Sequence, residues 1–326
     1  MKKPQTQQME WYESRSRKKR EKKPDRWPLI LTCSFLACCL LLYGAGAARS
    51  RVLTVDKQTV FSGKLLNQAG ILLLSDLHSD SFGQENEELL NAIKKHAEQV
   101  QIIVLAGDII DDQDPDPKEE LEFCRKLSEI RPVYFSPGNS ELARNDWPSL
   151  KENLEDMGIP VLDKENVRVS LNGNDVILGG LYDYSFALNG KDTVEEERMY
   201  PQTVQFLQGL KEEQGFKIVI SHRPDSFYFN QSGNYWDLDL VVSGHTHGGQ
   251  AVLPGVGGIW APDQGWFPEA SRGMVFNEDL PIVISSGLSS GTQKLPRWNN
   301  PATISLVSLQ PDRFAHQTSA RKQRIY

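Results

Sequence analysis

The chain is predicted to fold as a layered α/β domain behind a single N-terminal transmembrane helix. Three observations predict this. Short apolar runs alternate with helical stretches from residue 71 to residue 242. Five of those runs finish on Asp, His or Asn, several with glycine alongside. Residues 29–48, LILTCSFLACCLLLYGAGAA, carry no charge.

The N-terminal part comes first. About twenty uncharged residues span a bilayer core as a helix. Residues 1–28 hold ten Lys/Arg against four Asp/Glu, leaving 26 basic and 39 acidic residues in the rest of the chain. The positive flank lies before the apolar run. The basic tail is therefore expected in the cytoplasm, and the chain after residue 50 outside. Cleavage near Ala47 is the alternative, because Ala45-Gly46-Ala47 resembles an A-x-A processing site, and it would give a secreted form. A buried core helix fits poorly with so basic a flank. No twin-arginine pair precedes the run, and Leu36-Ala37-Cys38-Cys39 is a poor lipoprotein match. Three of the four cysteines lie in this segment, so the body, with Cys124 alone, has neither an internal disulfide nor a thiolate cluster for zinc.

Residues 49–68 form a polar lead-in with one short strand, Val52 to Val55. Ile71 to Leu74 is the next strand. Leu89, Leu90, Ile93, Ala97 and Val100 recur at helical spacing over 84–100. Ile102 to Leu105 is a strand. Residues 117–129 are a helix with Leu121, Cys124, Leu127 and Ser128 on one side. Val133 to Phe135 is a strand, and the helix over 141–157 is started or kinked by Pro148. Val167 to Leu171 and Val176 to Leu178 flank the turn Asn172-Gly173-Asn174 as a hairpin. A helix covers 202–213. Strands follow at Lys217 to Ile220, Leu238 to Val242, Pro281 to Ile284 and Thr303 to Val307. The main domain is expected over 69–310, with a basic flexible tail over 311–326.

The ends of the apolar runs carry the chemistry. They are Asp76-Leu77-His78, Gly107-Asp108, Gly138-Asn139, Ser221-His222 and Gly244-His245-Thr246-His247. Ligands in open α/β sheets bind at the carboxyl ends of strands, so these residues can converge although about 170 positions separate them. Two Asp, one Asn and four His suit zinc, iron or manganese. Seven ligands exceed one tetrahedral ion. They fit two ions about 4 Å apart with a carboxylate between them, an arrangement that activates water and clamps a phosphoryl group during in-line displacement. Phosphoester hydrolysis is the expected reaction.

These residues, in this order, resemble the motifs of the calcineurin-like metallophosphoesterases over roughly residues 69–310: D76-L-H78, G107-D-I-I-D111, G138-N139, S221-H222 and G244-H-T-H247. The likeness is strongest to bacterial membrane-associated phosphodiesterases whose last motif runs G-H-T-H-G-G-Q, and the stretch Gly291…Pro296-Arg297 is similar too. The resemblance implies a four-layer α/β/β/α sandwich. It gives Asp76, His78 and His247 to a first ion, Asp108 to a bridging position, and Asn139, His222 and His245 to a second. It implies attack by a metal-bridging hydroxide, with Asp108, Asn139 and His222 central to catalysis and Asp111 orienting a ligand from behind. The chain departs from the family at Ser140, where a histidine ordinarily helps the leaving oxygen. General-acid help is worth ~10²–10⁴-fold, and serine supplies little of it. Arg144 and Arg223 are substitute donors by sequence proximity. Slow turnover on poor leaving groups is expected, and a metal- or phosphate-binding protein with weakened catalysis is the alternative.

Other residues read more plainly. His96, on a helix, and His316, in the tail, are structural or surface histidines. Asp111 to Asp116 lacks the glycine and distal glutamate of an EF-hand loop and is read as a solvated acidic loop. Trp260, Trp266 and Phe267 belong to the core, to a substrate contact or to a membrane contact. Gly179-Gly180 lacks the Lys-Ser/Thr of a phosphate loop. The acidic body argues against nucleic acid as the partner. The anchor makes lipid head groups or envelope polymers the expected phosphoesters. Oligomeric state leaves no sequence signal.

Overall fold

The computed structural model describes residues 26–188, 193–229, 232–289 and 295–312. The basic tail before Arg26, Gly291 and the terminal segment with His316 lie outside the described residues. The chain divides after Ala45 into two units. The first contains most of helix α1, Trp27–Ser50, which is long and apolar enough to cross a membrane. It extends the expected span of 29–48 by two residues at each end.

The second unit is built from β1 (Leu53–Ser62), β2 (Ala69–Leu74), α2 (Glu87–Lys94), β3 (Ile102–Ala106), α3 (Lys118–Ser128), β4 (Val133–Ser136), α4 (Asn139–Ala143), α5 (Trp147–Asp156), β5 (Glu165–Leu171), β6 (Asn174–Gly180), α6 (Pro201–Glu212), β7 (Phe216–Ile220), α7 (Asp225–Tyr228), α8 (Ser232–Tyr235) and β8 (Leu240–Ser243). Four two-residue strands follow: β9 (Val252–Leu253), β10 (Gly257–Gly258), β11 (Trp260–Ala261) and β12 (Gly265–Trp266). The last strands are β13 (Gly273–Asn277), β14 (Leu280–Ile284) and β15 (Ala302–Pro311).

Two large sheets form. The first has the order β1-β15-β2-β3-β4, and the second β13-β14-β8-β7-β6-β5. Strands β2, β3 and β4 run parallel, as do β6, β7 and β8. Parallel strands need crossovers that cover both faces, so they read as unbroken apolar runs. Side-chain alternation then sorts each strand into two cores. Ile71, Leu73 and Val104 from the first sheet meet Leu178, Ile218 and Val242 from the second between the sheets. Leu72, Leu74, Ile103 and Leu105 face Leu89, Phe123, Leu127 and Leu154 on the outer side. Ile177, Val219, Val241 and Ile282 pack on Leu207, Leu210, Phe227 and Trp236 on the other. The α/β/β/α layering implied by the resemblance is present.

Four local expectations need correction. The lead-in strand is ten residues long, not four, and pairs parallel with β15 from Leu53↔Ala302 to Ser62↔Pro311. It is an edge strand, half-exposed along its length, so no clean alternation announces it. The helix over 84–100 contains one α-helical stretch, Glu87–Lys94, flanked by 3₁₀ turns at Gln84–Asn86 and Ala97–Gln99. Glu85 and Asn86 occupy left-handed backbone, and Asn86 Oδ1 accepts from the Phe82 N–H, so the helix starts late. On α3 the buried side is Glu120, Phe123, Cys124 and Leu127; Leu121 and Ser128 stay partly exposed. The helix expected over 141–157 is two, α4 and α5, parted at the extended Arg144 (ψ 136°), and Pro148 starts the second in its first turn.

Candidate metal centre

The site lies where the carboxyl ends of β2, β3, β4, β7 and β8 meet. Backbone bonds knit these ends together before any side chain is placed. Asp76 N–H donates to Gly107 O at 3.0 Å, and His78 N–H to Asp108 O at 3.0 Å. Across the two sheets, His245 N–H donates to Asp76 Oδ1 at 2.9 Å. Close approach requires glycines here. A Cβ at Gly138 would sit 2.2 Å from Asp108 Oδ1, and one at Gly244 would sit 2.6 Å from Ser75 Cβ.

Five of the seven expected ligands hold left-handed backbone: Asp76 (φ 54°), His78 (49°), Asp108 (54°), His245 (69°) and His247 (47°). Each such residue costs roughly 1 kcal/mol or more relative to ordinary backbone. Strain concentrated at one place is held by the surrounding fold and turns these side chains toward a common point.

Two groups result. Ligand atoms of Asp76, His78 and His247 lie within 4.8 Å of one another, and so do those of Asp108, His222 and His245. One carboxylate oxygen stands between the groups: Asp108 Oδ2 is 3.6 Å from His78 Nε2 and 3.4 Å from His222 Nε2. His245 Nδ1 faces His222 Nε2 at 3.2 Å, and His247 Nε2 faces Asp76 Oδ1 at 3.9 Å. Asn139 opens α4, and the next N–H, that of Ser140, donates to Asp108 Oδ1 at 2.8 Å.

Each imidazole is fixed from behind through its other nitrogen. His78 Nδ1 meets Asp111 Oδ2 at 3.2 Å. His222 Nδ1 meets Ala106 O at 2.7 Å, and His247 Nδ1 meets Ser289 O at 3.0 Å. His245 Nε2 meets Asp263 Oδ2 at 2.9 Å. Outer acceptors of this kind set the tautomer and leave the inner nitrogen with a lone pair, as metal-ligating histidines require.

The electrostatics divide the rings. Burial alone would raise the Asp108 carboxyl, but His222 and His78 beside it hold it well below the usual carboxylate range. Burial works against a charged His222, yet Asp108 and Asp76 outweigh it and raise that ring to about 9. Burial dominates at His247, pushed down to about 4, and at His245, also lowered. Two buried atoms, His78 Nε2 and Asn139 Oδ1, have no hydrogen-bond partner. Leaving such groups unsatisfied costs roughly 1–3 kcal/mol each. A cation satisfies both, so the residues present fit divalent metal ions with nitrogen and oxygen ligands.

Glu141 and Asp263 carry no signal in the sequence, whereas Arg297 lies in the stretch that the resemblance already covers. Glu141, fully buried, accepts from the N–H groups of Asp108, Ile109, Ile110 and Gly138 at 2.8–3.0 Å, and so shapes the Gly107–Ile110 turn. Asp263 reaches His245 from a distant hairpin. Arg297 donates to the carbonyls of Ser286, Gly287, Ser289, Asn300 and Pro301, pinning the segment behind His247. The two arginines named as substitute donors divide. Arg144 is committed to the Asp111 and Asp114 carbonyls and the Asp146 carboxylate. Arg223 follows His222, donates from Nη2 to Tyr182 Oη at 2.7 Å and places Nε 3.4 Å from Asp263 Oδ2. The acidic run Asp111 to Asp116 spends its oxygens on His78, Ser79, Lys118 and local N–H groups. Its Asp111 carboxylate thus stands behind His78. His96 bonds Gln99 far from the site.

A family model described as "Calcineurin-like phosphoesterase" matches residues 70–249. The uncharacterized metallophosphoesterase YkoQ of Bacillus subtilis is 27% identical over 270 residues, covering 80% of this chain and 92% of that protein. An uncharacterized metallophosphoesterase of Helicobacter pylori is 28% identical over 210 residues, covering 63% of this chain and 50% of its own length. Among solved structures, a dimetal phosphatase from Danio rerio covers 67% of this chain and 87% of its own, with 15% identity and a TM-score of 0.39.

Proposed function

Because the chain belongs to the calcineurin-like phosphoesterase family, a hydrolase family, we propose that it cleaves phosphoesters at two divalent cations. Asp76, His78 and His247 hold one cation, Asn139, His222 and His245 the other, and Asp108 joins them. The observation that carries this reading is the single Asp108 oxygen between two compact ligand groups, 3.6 Å from His78 Nε2 and 3.4 Å from His222 Nε2. When bound, such a pair lowers the pKa of a water and neutralises phosphoryl charge. The chain's own work is orientation. Asp111, Ala106 O, Asp263 and Ser289 O hold four rings through their outer nitrogens, so that the inner nitrogens face the cations. Ser140 keeps Asp108 in register through its N–H and brings no leaving-group acid. Arg223, which follows the ligand His222 and whose Nε has no hydrogen-bond partner, is assigned to the phosphoryl oxygens. Manganese, iron and zinc all suit the ligand set.

The finer reading is a phosphodiesterase held by α1, with the N-terminus cytoplasmic and the domain outside. Retention of the helix is supported by its last turn. Gly46 O accepts from the Asn299 N–H at 2.9 Å, and Ser50 Oγ accepts from the Asn300 N–H at 3.2 Å, so cleavage near Ala47 would remove one of these ties. The substrate is then a lipid head group or envelope polymer. The test is manganese-supplemented hydrolysis of bis-(p-nitrophenyl) phosphate, with two equivalents of metal bound. His222→Ala should lose one equivalent and at least ~100-fold in rate. Equal rates for the two proteins would refute the assignment.

A further inference from the structure

A cavity of about 450 Å³ has Arg223, the residue after His222, in its wall. Its size falls within the range of small-molecule sites, about 300–1,000 Å³. Strand β6 leads into it. That strand runs parallel to β7 with Gly180 opposite Ile220, and the Leu181 N–H donates to Ile220 O at 2.9 Å. Tyr182 therefore leaves the sheet level with His222. Tyr182, Tyr184 and Phe186 all line the cavity. The Ser185 N–H donates to Ser226 Oγ at 3.0 Å, and the Trp236 indole N–H to Ser185 O at 2.9 Å, which fixes this arm. More of the lining comes from Met199 and Tyr200, after the turn Glu196–Arg198. Glu196 holds that turn by accepting from Tyr235 Oη and Gln208 Nε2, each at 2.6 Å.

Arg223 joins this cavity to the metal centre. Its Cζ lies 4.6 Å from the Tyr182 ring centroid and 5.6 Å from that of Tyr184. Its Nε stands 3.4 Å from Asp263 Oδ2, the oxygen that meets His245. Burial raises the Tyr182 phenol, Arg223 opposes the rise, and the charge of Asp108 adds to it. An alcohol group esterified to a phosphoryl held by the cations and Arg223 would thus extend into the cavity. The lining selects among such groups. Phe186 and Met199 are buried and apolar, Tyr200 is 72% exposed, and Asp183, Arg198 and Arg223 bring charge of both signs. An acyl chain would strand these polar groups. A quaternary ammonium would meet two guanidinium groups. A flat base needs an open aromatic face near the phosphoryl, and Arg223 already lies over Tyr182 and Tyr184. A sugar-like ring suits the mixture. Its C–H faces lie on aromatic rings, and its hydroxyls reach phenol oxygens and charged groups.

We propose that this cavity seats a polyhydroxylated ring, the alcohol part of the phosphoester, with Tyr200 as a specificity-determining contact. An inositol head group and the glycosyl unit of an envelope polymer share that chemistry. The inference rests on the hydrolytic reading of the metal centre and names its substrate class.

The test is calorimetric titration of the manganese-loaded full chain, in detergent, with phosphonates, which carry no ester to cleave. Methylphosphonate reports the metal centre alone, and glucosyl and inositol phosphonates add the ring. At least one ringed probe should bind at least ~10-fold more tightly than methylphosphonate. Tyr200→Ala should erase that gain and bind methylphosphonate as wild type does, which shows it folded. Tyr200→Phe keeps the ring face and should keep most of the gain. The tighter ringed probe tells a lipid source from a polymer source. Equal binding of ringed and ringless probes overturns the inference and spares the hydrolytic reading. So does a gain that survives Tyr200→Ala, or an adenosyl phosphonate that binds more tightly than either ringed probe. Failure of methylphosphonate to bind overturns both.

Discussion

His245 Nε2 and Asp263 Oδ2 lie 2.9 Å apart, and through this contact a surface hairpin orients an imidazole of the candidate metal centre. The carboxylate keeps the proton on Nε2 and turns Nδ1 toward His222. Asp263 is itself held below the usual carboxylate range, first by that bond to His245 and then, against burial, by Arg223 and Tyr184. Asp263→Asn can present its amide nitrogen to Nε2 and favour the wrong tautomer. Losing such an outer partner typically costs ~10–100-fold in metal affinity. A metal titration should show that loss in one of two equivalents, with the other unchanged. A uniform loss in both would mean that Asp263 acts on the fold instead.

Ser140 and Arg223 make a second prediction. Restoring the acid with Ser140→His should speed hydrolysis of an alkyl phosphodiester by at least ~10-fold, and that of a p-nitrophenyl ester far less, because only the poor leaving group needs a proton. Arg223→Ala should slow the wild type more than it slows the Ser140→His protein. Residues that serve one group are not additive. Additive effects in the double variant would show that Arg223 has no part in the step.

The legible part of this molecule was its buried centre. Strands such as Ile71–Leu74 are buried on both faces, so their apolar runs stand out, and so does the Asp or His that ends each one. The apolar runs announced only a layered α/β fold, and the four-layer arrangement was what the resemblance implied. Glu141 and Asp263 were illegible for a physical reason. Each is one carboxylate among 43 acidic residues, and its role exists only once it has folded back on a partner 33 or 18 positions away. The two-residue strands at Val252–Leu253 and Gly257–Gly258 are too short for any periodic signal. β1 was underestimated because an edge strand exposes residues on both faces.

Glu141 carries a stability prediction. Its carboxylate accepts four backbone N–H groups, all buried. Glu141→Ala strands those donors, at roughly 1–3 kcal/mol for each left unsatisfied. A loss of at least ~3 kcal/mol is expected in urea unfolding with cations present. Glu141→Gln should cost nearly as much, about 2 kcal/mol, since its NH₂ faces two of the same donors. Full stability in the glutamine variant would mean that the charge and both oxygens are dispensable.

Glu120 sets a pH dependence away from the metal centre. Burial, then the charges of Asp114 and Glu119, raise its carboxyl from 4.5 to about 7, and Oε2 has no hydrogen-bond partner. A carboxyl with a raised folded pKa binds its proton more tightly in the native state. Its contribution is therefore complete below pH 4.5 and is lost as pH rises through about 7. Glu120→Gln removes the titration and mimics the protonated form. The variant should match wild type at pH 4.5 and exceed it by about 1 kcal/mol at pH 8, a figure reduced for solvent screening near the acidic loop. Urea midpoints at the two pH values measure the difference. A constant gap would mean that packing, not the proton, separates the two proteins.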